Sequence, residues 1–216
     1  MEQQGMRRYG ASELARVYCE KCNGCGECCH GMGESIRLDP WDVNQLTRGL
    51  GKSFEELREA GIVGLHAEDG MILPHMQMKE NGDGACSMLG DDGRCRIHPY
   101  RSGYCRLFPL GRDYDEDTRS FRYFIVDSGC AMPGKQKVRI SRWLGIENLP
   151  RYEQFVCDWH YYCRDVKAFL AASEDENFRQ QLNLFILKVF YAAPYREADF
   201  YSLFDMRLRQ AKSVME

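Results

Sequence analysis

The stretch Cys22-Asn23-Gly24-Cys25-Gly26-Glu27-Cys28-Cys29 decides how this chain is read. Four thiols crowd into it, and Cys86, Cys95, Cys105 and Cys130 follow, out of 11 cysteines in 216 residues. C-x2-C steps on a turning backbone are the commonest way to bring two sulfurs to one ion. Gly24, Gly26, Gly31 and Gly33 interleave the thiols, and glycine permits the left-handed angles that let successive ligands wrap one centre. Such polar, glycine-rich surroundings offer no apolar core in which free cysteines could act as small hydrophobes. The pattern predicts a ligand set for metal.

Redox compartment separates metal from disulfides, because thiols pair outside the cell and bind metal or catalyse inside it. The N-terminal residues are charged and polar throughout, with no stretch resembling a signal-peptide core. An odd cysteine count also sits poorly with a closed disulfide framework. The longest apolar run, Leu184 to Ala193, is broken by Lys188 and falls short of the roughly 20 residues that cross a bilayer. A cytoplasmic protein without membrane association is therefore expected. A composition of 44% hydrophobic and 28% charged residues suits an ordinary globular chain, and a net charge of −3 with no basic stripe gives no footprint for nucleic acid.

Outward from the cysteine run, Leu14, Val17 and Tyr18 lie at helical spacing behind Ser12, so a short helix is expected over Ser12 to Lys21. Ile36-Arg37-Leu38 alternates, Asp39 and Pro40 announce a helix as cap and first residue, and Ser53 to Glu56 is a capping box. Between about Ile62 and Asp127 short strands are expected at Met71–Leu73, Cys86–Leu89, Arg94–His98 and Phe121–Val126. Gly90 to Gly93 would close a hairpin that sets Cys86 and Cys95 on neighbouring strands about 5 Å apart. From Leu149 onward three apolar stripes predict helices: Tyr152 to Leu170, Phe178 to Phe190 behind a Ser173–Glu176 capping box and ended by Pro194, and Phe200 to Leu208.

The ligand chemistry leaves alternatives. Cys19, Cys22, Cys25 and Cys29 reproduce the C-x2-C-x2-C-x3-C spacing of a bacterial iron–sulfur cluster, although His30 stands where that motif has proline. Cys28 and Cys29, as neighbours in an extended backbone, would point in opposite directions, so one of them could face a second centre. Two four-sulfur sets and one cluster with supporting thiols both fit. His30 and His98 sit beside ligand cysteines and read as hydrogen-bonding or surface residues, while His66, His75 and His160 read as structural. Arg94, Arg96, Arg101 and Arg106 surround the later cysteines, where they either offset thiolate charge or are ordinary surface residues. Cys157 and Cys163, about 240° apart on one helix, cannot chelate an ion together.

CNGCGECC, then Ile36-Arg37-Leu38 and Asp42, Cys86-Ser87-Met88-Leu89, Gly93 to Arg101, Cys105-Arg106-Leu107-Phe108-Pro109 and finally Cys130 resemble the CxxCxxCC (YkgJ-like) cysteine-cluster family of zinc- or iron-chelating proteins. The resemblance covers about residues 22–134. It implies that Cys22, Cys25, Cys28, Cys29, Cys86, Cys95, Cys105 and Cys130 form the chelating set, with Cys19 extra. More distantly, the cysteine motif is similar to that of flagellin lysine N-methylase, which implies a protein-modifying, cluster-dependent enzyme as one alternative. No G-x-G-x-x-G following a strand supports a nucleotide fold, so catalysis is left open.

The resulting expectation is an α+β protein. Residues 1–140 would form an irregular cysteine-rich metal-binding core with short antiparallel strands, and 141–216 a dependent C-terminal layer of about three helices. The eight cysteines would hold an iron–sulfur cluster, 4Fe–4S in preference to zinc, with a second metal as an extension. Zinc in a structural or interaction module is the alternative. Metal is the expected partner, and any protein partner or substrate is unidentified. Metal binding would supply much of the folding free energy of residues 19–134, where apolar residues look sparse.

Overall fold

Three two-stranded antiparallel ribbons and seven α-helices account for the regular structure among the described residues. The structure is a computed structural model and describes residues 7–19, 25–80, 82, 84–126, 130, 132–195 and 199–215. In chain order the elements are β1 (Leu14–Tyr18), α1 (Pro40–Leu50), α2 (Phe54–Glu59), β2 (Val63–Glu68), β3 (Met71–Met76), α3 (Gly103–Leu107), β4 (Leu110–Asp115), β5 (Ser120–Ile125), β6 (Gln136–Arg139), α4 (Ile140–Leu144), α5 (Leu149–Ala172), α6 (Glu176–Ile186) and α7 (Phe200–Lys212). Single 3-10 turns occupy Glu27–Cys29 and His98–Tyr100, and a π-helical segment, Leu187–Ala192, continues α6. β1 pairs with β6, β2 with β3, and β4 with β5.

Local chemistry sets several of these elements as expected. Asp39 caps α1 by accepting the Asp42 amide at 2.8 Å, and Asp42 returns the favour to the Asp39 amide at 3.2 Å, with Pro40 at the first helical position. Ser53 and Glu56 make the same reciprocal pair at α2. The β2–β3 hairpin turns through Asp69 and Gly70, both at positive φ, a pair of angles that suits the right-handed twist of the flanking strands. Ile36-Arg37-Leu38 runs along β3: the Met76 amide donates to Ile36 and the Leu38 amide to Pro74, burying Ile36 and Leu38 and leaving Arg37 outside.

Other expectations are corrected. Leu14 to Tyr18 is a strand, because its burial alternates and it pairs with β6, far away in the sequence. Long-range pairing there overrides a helical spacing carried by only three residues. Cys86–Leu89 and Arg94–His98 form no ladder. The Gly90 amide closes the turn on Arg94 at 2.9 Å, yet pairing is limited to isolated bridges, Leu89 with Cys95 and Met78 with Cys86. At α6 the cap is Asp175, which accepts the Phe178 amide at 3.0 Å, and not Ser173. The C-terminal part has four helices instead of three among the described residues, since α4 precedes α5.

The core is one contiguous cluster that includes both the cysteine-rich part and the C-terminal helices. α5, about 36 Å long at 1.5 Å per residue, supplies Tyr152, Phe155, Trp159 and Tyr162 to it. Apolar residues are not sparse before residue 134: Ile36, Leu38, Leu46, Leu57, Met71 and Met76 are all almost completely buried. Polar ties fasten the helices to the strands. Asn183 accepts the Ile72 amide at 2.7 Å and donates to the Gly70 carbonyl at 2.9 Å, while the Tyr191 hydroxyl donates to Leu38 at 3.2 Å. Much of the fold among the described residues is therefore held by apolar burial.

Phe204 of α7 sits fully buried with its ring centre 4.6 Å from Phe155 and 5.9 Å from Phe190. Phe204→Ala should lower the unfolding free energy by about 3–5 kcal/mol in urea titration, whether or not metal is added. A loss below about 1 kcal/mol would show that this helix does not seal the core.

Candidate metal centre

The cysteine run is bent where the sequence allows it. Gly26 adopts φ of 67°, and a β-carbon there would stand 3.1 Å from the Gly93 carbonyl oxygen, so backbone approaches backbone at a position only glycine fills without strain. The 3-10 turn Glu27–Cys29 follows, closed by the Cys29 amide donating to Gly26 at 2.8 Å. Successive side chains in such a turn are rotated by about 120°, not 180°. Cys28 and Cys29 accordingly do not point apart, which corrects the expectation: their sulfurs hydrogen-bond each other.

A second set of backbone bonds brings the later cysteines to this turn. The Cys86 amide donates to the Cys29 carbonyl at 2.7 Å, the Gly31 amide to Gly84 at 2.9 Å, and His30 bridges Ala85. Cys95 faces Leu89 across the Gly90–Gly93 turn. Cys105, on α3, lies within electrostatic reach of Cys28 and Cys86. Cys28, Cys29, Cys86, Cys95 and Cys105 thus share one neighbourhood: Cys29, Cys86, Cys95 and Cys105 each sense the charge of at least one other of the five, and Cys28 is tied to Cys29.

Titration behaviour follows from that arrangement. The Cys29 thiol donates to Cys28 and brings the latter down to about 6, against the burial that opposes it, while Cys29 itself is pushed far up. Burial raises Cys86 and Cys95, and pushes Cys105 to about 12. Two features favour thiolates. The Met88 amide points at the Cys86 sulfur and the Ile97 amide at the Cys95 sulfur, the same two-residue offset at both. Arg101 lies beside Cys28 and Cys95, and its charge lowers both.

The remaining sequence candidates are placed as follows. Cys22 lies outside the described residues. Cys25 is half-buried just before Gly26, and Cys130 is half-buried with its carbonyl accepting from Lys135 Nζ. Cys19 is buried, its sulfur 3.8 Å from the Pro133 carbonyl. His30 is exposed and bonds Gly26 at 3.2 Å. His98, lowered by burial and by the charges of Arg101 and Arg106, presents Nε2 to the Arg101 guanidinium. Arg94 and Arg96 are exposed. Arg106 is tied to the carbonyls of Arg101 and Pro99, at 3.1 and 2.7 Å. Cys157 and Cys163 stay in α5, away from this loop system. Two residues outside the cysteine pattern also matter. Asp42, 2% exposed, accepts the Gly103 amide at 2.6 Å, and Ser102 accepts the Cys105 amide at 3.2 Å; both bonds hold the start of α3. The partner of Asp42 comes from another part of the chain, whereas Ser102 caps its own helix three residues on.

Five gathered thiols with amide and guanidinium donors are the donor chemistry that zinc and iron both take. No three His, Cys, Asp or Glu side chains among the described residues stand at the mutual spacing that holds an ion. The arrangement defines a thiol-rich mixed helix-and-strand protein whose candidate metal centre adjoins the apolar core, with Cys86 itself part of that core.

Residues 21–131, just over half of the chain, match the family CxxCxxCC, described as "Putative zinc- or iron-chelating domain", and the chain belongs to that family. No curated protein and no solved structure matches it. No described helix is long and apolar enough to cross a membrane.

The Asp39–Asp42 pair behind this centre has a pH signature. Burial, and for Asp42 also the charge of Asp39, raises both carboxyls, Asp39 to about 6. An unfolded Asp titrates near about 3.9. Above the unfolded value the folded chain binds more protons than the unfolded chain, so stability falls as pH rises from about 4 through 6 on account of Asp39, and goes on falling until Asp42 has also lost its proton. Asp42→Asn keeps an acceptor for Gly103 and removes one charge of the pair. Urea unfolding of both proteins from pH 4 to 7 in the same buffer should give a shallower decline for Asp42→Asn. Equal slopes would show that the pair stays ionised.

Proposed function

We propose that the protein is an intracellular metal-binding protein in which Cys22, Cys25, Cys28, Cys29, Cys86, Cys95, Cys105 and Cys130 hold an iron–sulfur cluster. The observation that carries this reading is the five-thiol neighbourhood in which backbone amides are aimed at the Cys86 and Cys95 sulfurs. An N–H donor stabilises a sulfur anion far more than a neutral thiol, and metal ligands are thiolates. Arg101 supports a cluster of negative sulfurs in the same way, and hydrogen bonds and charge near the sulfurs are what set cluster potentials. When bound, the cluster would supply one-electron chemistry or a rigid cross-link between loops. The chain's own residues bind it, orient it and shield it from one side with the apolar core.

Zinc is the second reading, favoured by the turns at Cys86 and Cys95. Each cysteine starts a tight turn, the Leu89 amide closing on Cys86 at 2.9 Å and the His98 amide on Cys95 at 3.2 Å, and such turns also serve closed tetrahedral zinc sites.

Anaerobic purification followed by metal and acid-labile sulfide analysis separates the two. Iron with sulfide and a broad visible absorption is expected; zinc without sulfide would overturn the cluster. Because Cys29, Cys86, Cys95 and Cys105 are raised and hold their protons, loading must release protons, and affinity should rise with pH. Cys95→Ser should lower the metal bound per chain and Cys157→Ser should not, as read by elemental analysis. Equal metal content in both variants would remove the Cys86–Cys95 turn from the site.

A further inference from the structure

The ribbon of β1 and β6 turns one face inward, where Ala15 and Val17 are each 1% exposed. Its outer face has a different chemistry. Leu14 lies opposite Arg139, Arg16 opposite Lys137 and Tyr18 opposite Gln136, and residues paired directly across an antiparallel ribbon project to the same side. Leu14 and Tyr18 remain 52% and 40% exposed, and Arg16, Lys137 and Arg139 are exposed beside them. The Arg16 guanidinium donates to the Lys135 carbonyl at 3.4 Å, which draws it toward β6. No carboxylate among the described residues forms an ion pair with Arg16, Lys137 or Arg139, whereas Arg8, Arg119, Arg122 and Arg164 elsewhere in the chain each meet one. Like charges directly opposite each other destabilise a ribbon, yet Arg16 and Lys137 are so placed in a chain of net charge −3. The two strands come from opposite parts of the chain, so the whole patch arises only on pairing.

We propose that the outer face of the β1–β6 ribbon is a docking surface for an acidic protein partner, whose carboxylates meet Arg16, Lys137 and Arg139 and whose apolar side chains cover Leu14 and Tyr18. Charge complementarity sets the sign of the partner, since these cations lack acids of their own. The apolar pair sets its kind. Leu14 and Tyr18 stand about 14 Å apart along β1 and bracket Arg16, an alternation that suits a polypeptide carrying apolar residues on either side of its acids. Nucleic acid is the poorer fit, because a phosphate backbone offers Leu14 no apolar counterpart and three cations fall short of the about 6–10 phosphate contacts of a typical binding surface.

Fluorescence anisotropy of a labelled acidic peptide, with leucine at both ends of an Asp–Glu run, tests the proposal on the whole chain. A labelled oligouridine serves as second probe, and urea unfolding runs in parallel. The peptide should bind the parent and dissociate as salt is added. Lys137→Glu sets opposite charges across the ribbon, so it should unfold at the parent's urea concentration or above while binding the peptide about tenfold more weakly. Arg139→Gln, which only removes a charge, and Leu14→Ser should each weaken binding as well. Lys52→Glu, on the exposed linker between α1 and α2, makes the same change in net charge as Lys137→Glu and should bind as the parent does. Absence of peptide binding by the parent, or an equal loss in Lys52→Glu, would overturn the proposal. Tighter binding of the oligouridine, lost in the same ribbon variants, would also overturn it by assigning the face to nucleic acid.

Discussion

One backbone hydrogen bond, from the Cys86 amide to the Cys29 carbonyl, is the joint on which the thiol arrangement depends. A single such bond contributes only about 0.5–1.5 kcal/mol net, too little to hold two loops together alone. It works because neighbours repeat it: Gly31 to Gly84, Lys79 to Ala85 and Ser87 to Gln77 continue the lattice from the end of β3 into the Cys86 turn. Gly26 lets the first loop lie against Gly93 without a side chain between them. Backbone, not sulfur chemistry, brings the first and second cysteine segments side by side.

Behind that lattice the apolar core runs from β1 to α7. The α5 aromatics meet Phe190, Phe200 and Phe204 in edge-to-face and tilted contacts. Asn183 and Tyr191 then fasten the helical layer to the β2–β3 turn and to Leu38, two residues before α1. The same α1 begins at the Asp39–Asp42 box, and Asp42 reaches across to Gly103. The placement of Cys105 therefore descends from helix capping and core packing, several steps away from any thiol.

What could be read from the sequence follows the range of the interactions. The caps at Asp39 and Ser53 were legible, since each is settled within four residues, and so were the long stripes of α5 and α7. β1 was misread because its partner β6 lies across most of the chain, and three apolar residues cannot distinguish a period of 3.6 from burial imposed by a distant strand. The Cys28–Cys29 geometry was misread for a related reason: an extended backbone was assumed where Gly26 starts a tight turn. The cysteine pattern pointed to the neighbourhood of Cys28, Cys86, Cys95 and Cys105. The Asp42 contact to Gly103 spans 61 residues and leaves no spacing signature, whereas the amides aimed at the Cys86 and Cys95 sulfurs and the Ser102 cap on the Cys105 amide are local contacts set by turn geometry.

The buried side chains Ile36, Leu46, Leu57 and Met71 stand within the matched family's span and share one apolar cluster with the C-terminal helices and with Cys86, and Cys29, Cys95 and Cys105 pack against that cluster. In a chain built this way the thiol loops share their packing with the helical layer, so a disturbance at either one reaches the other.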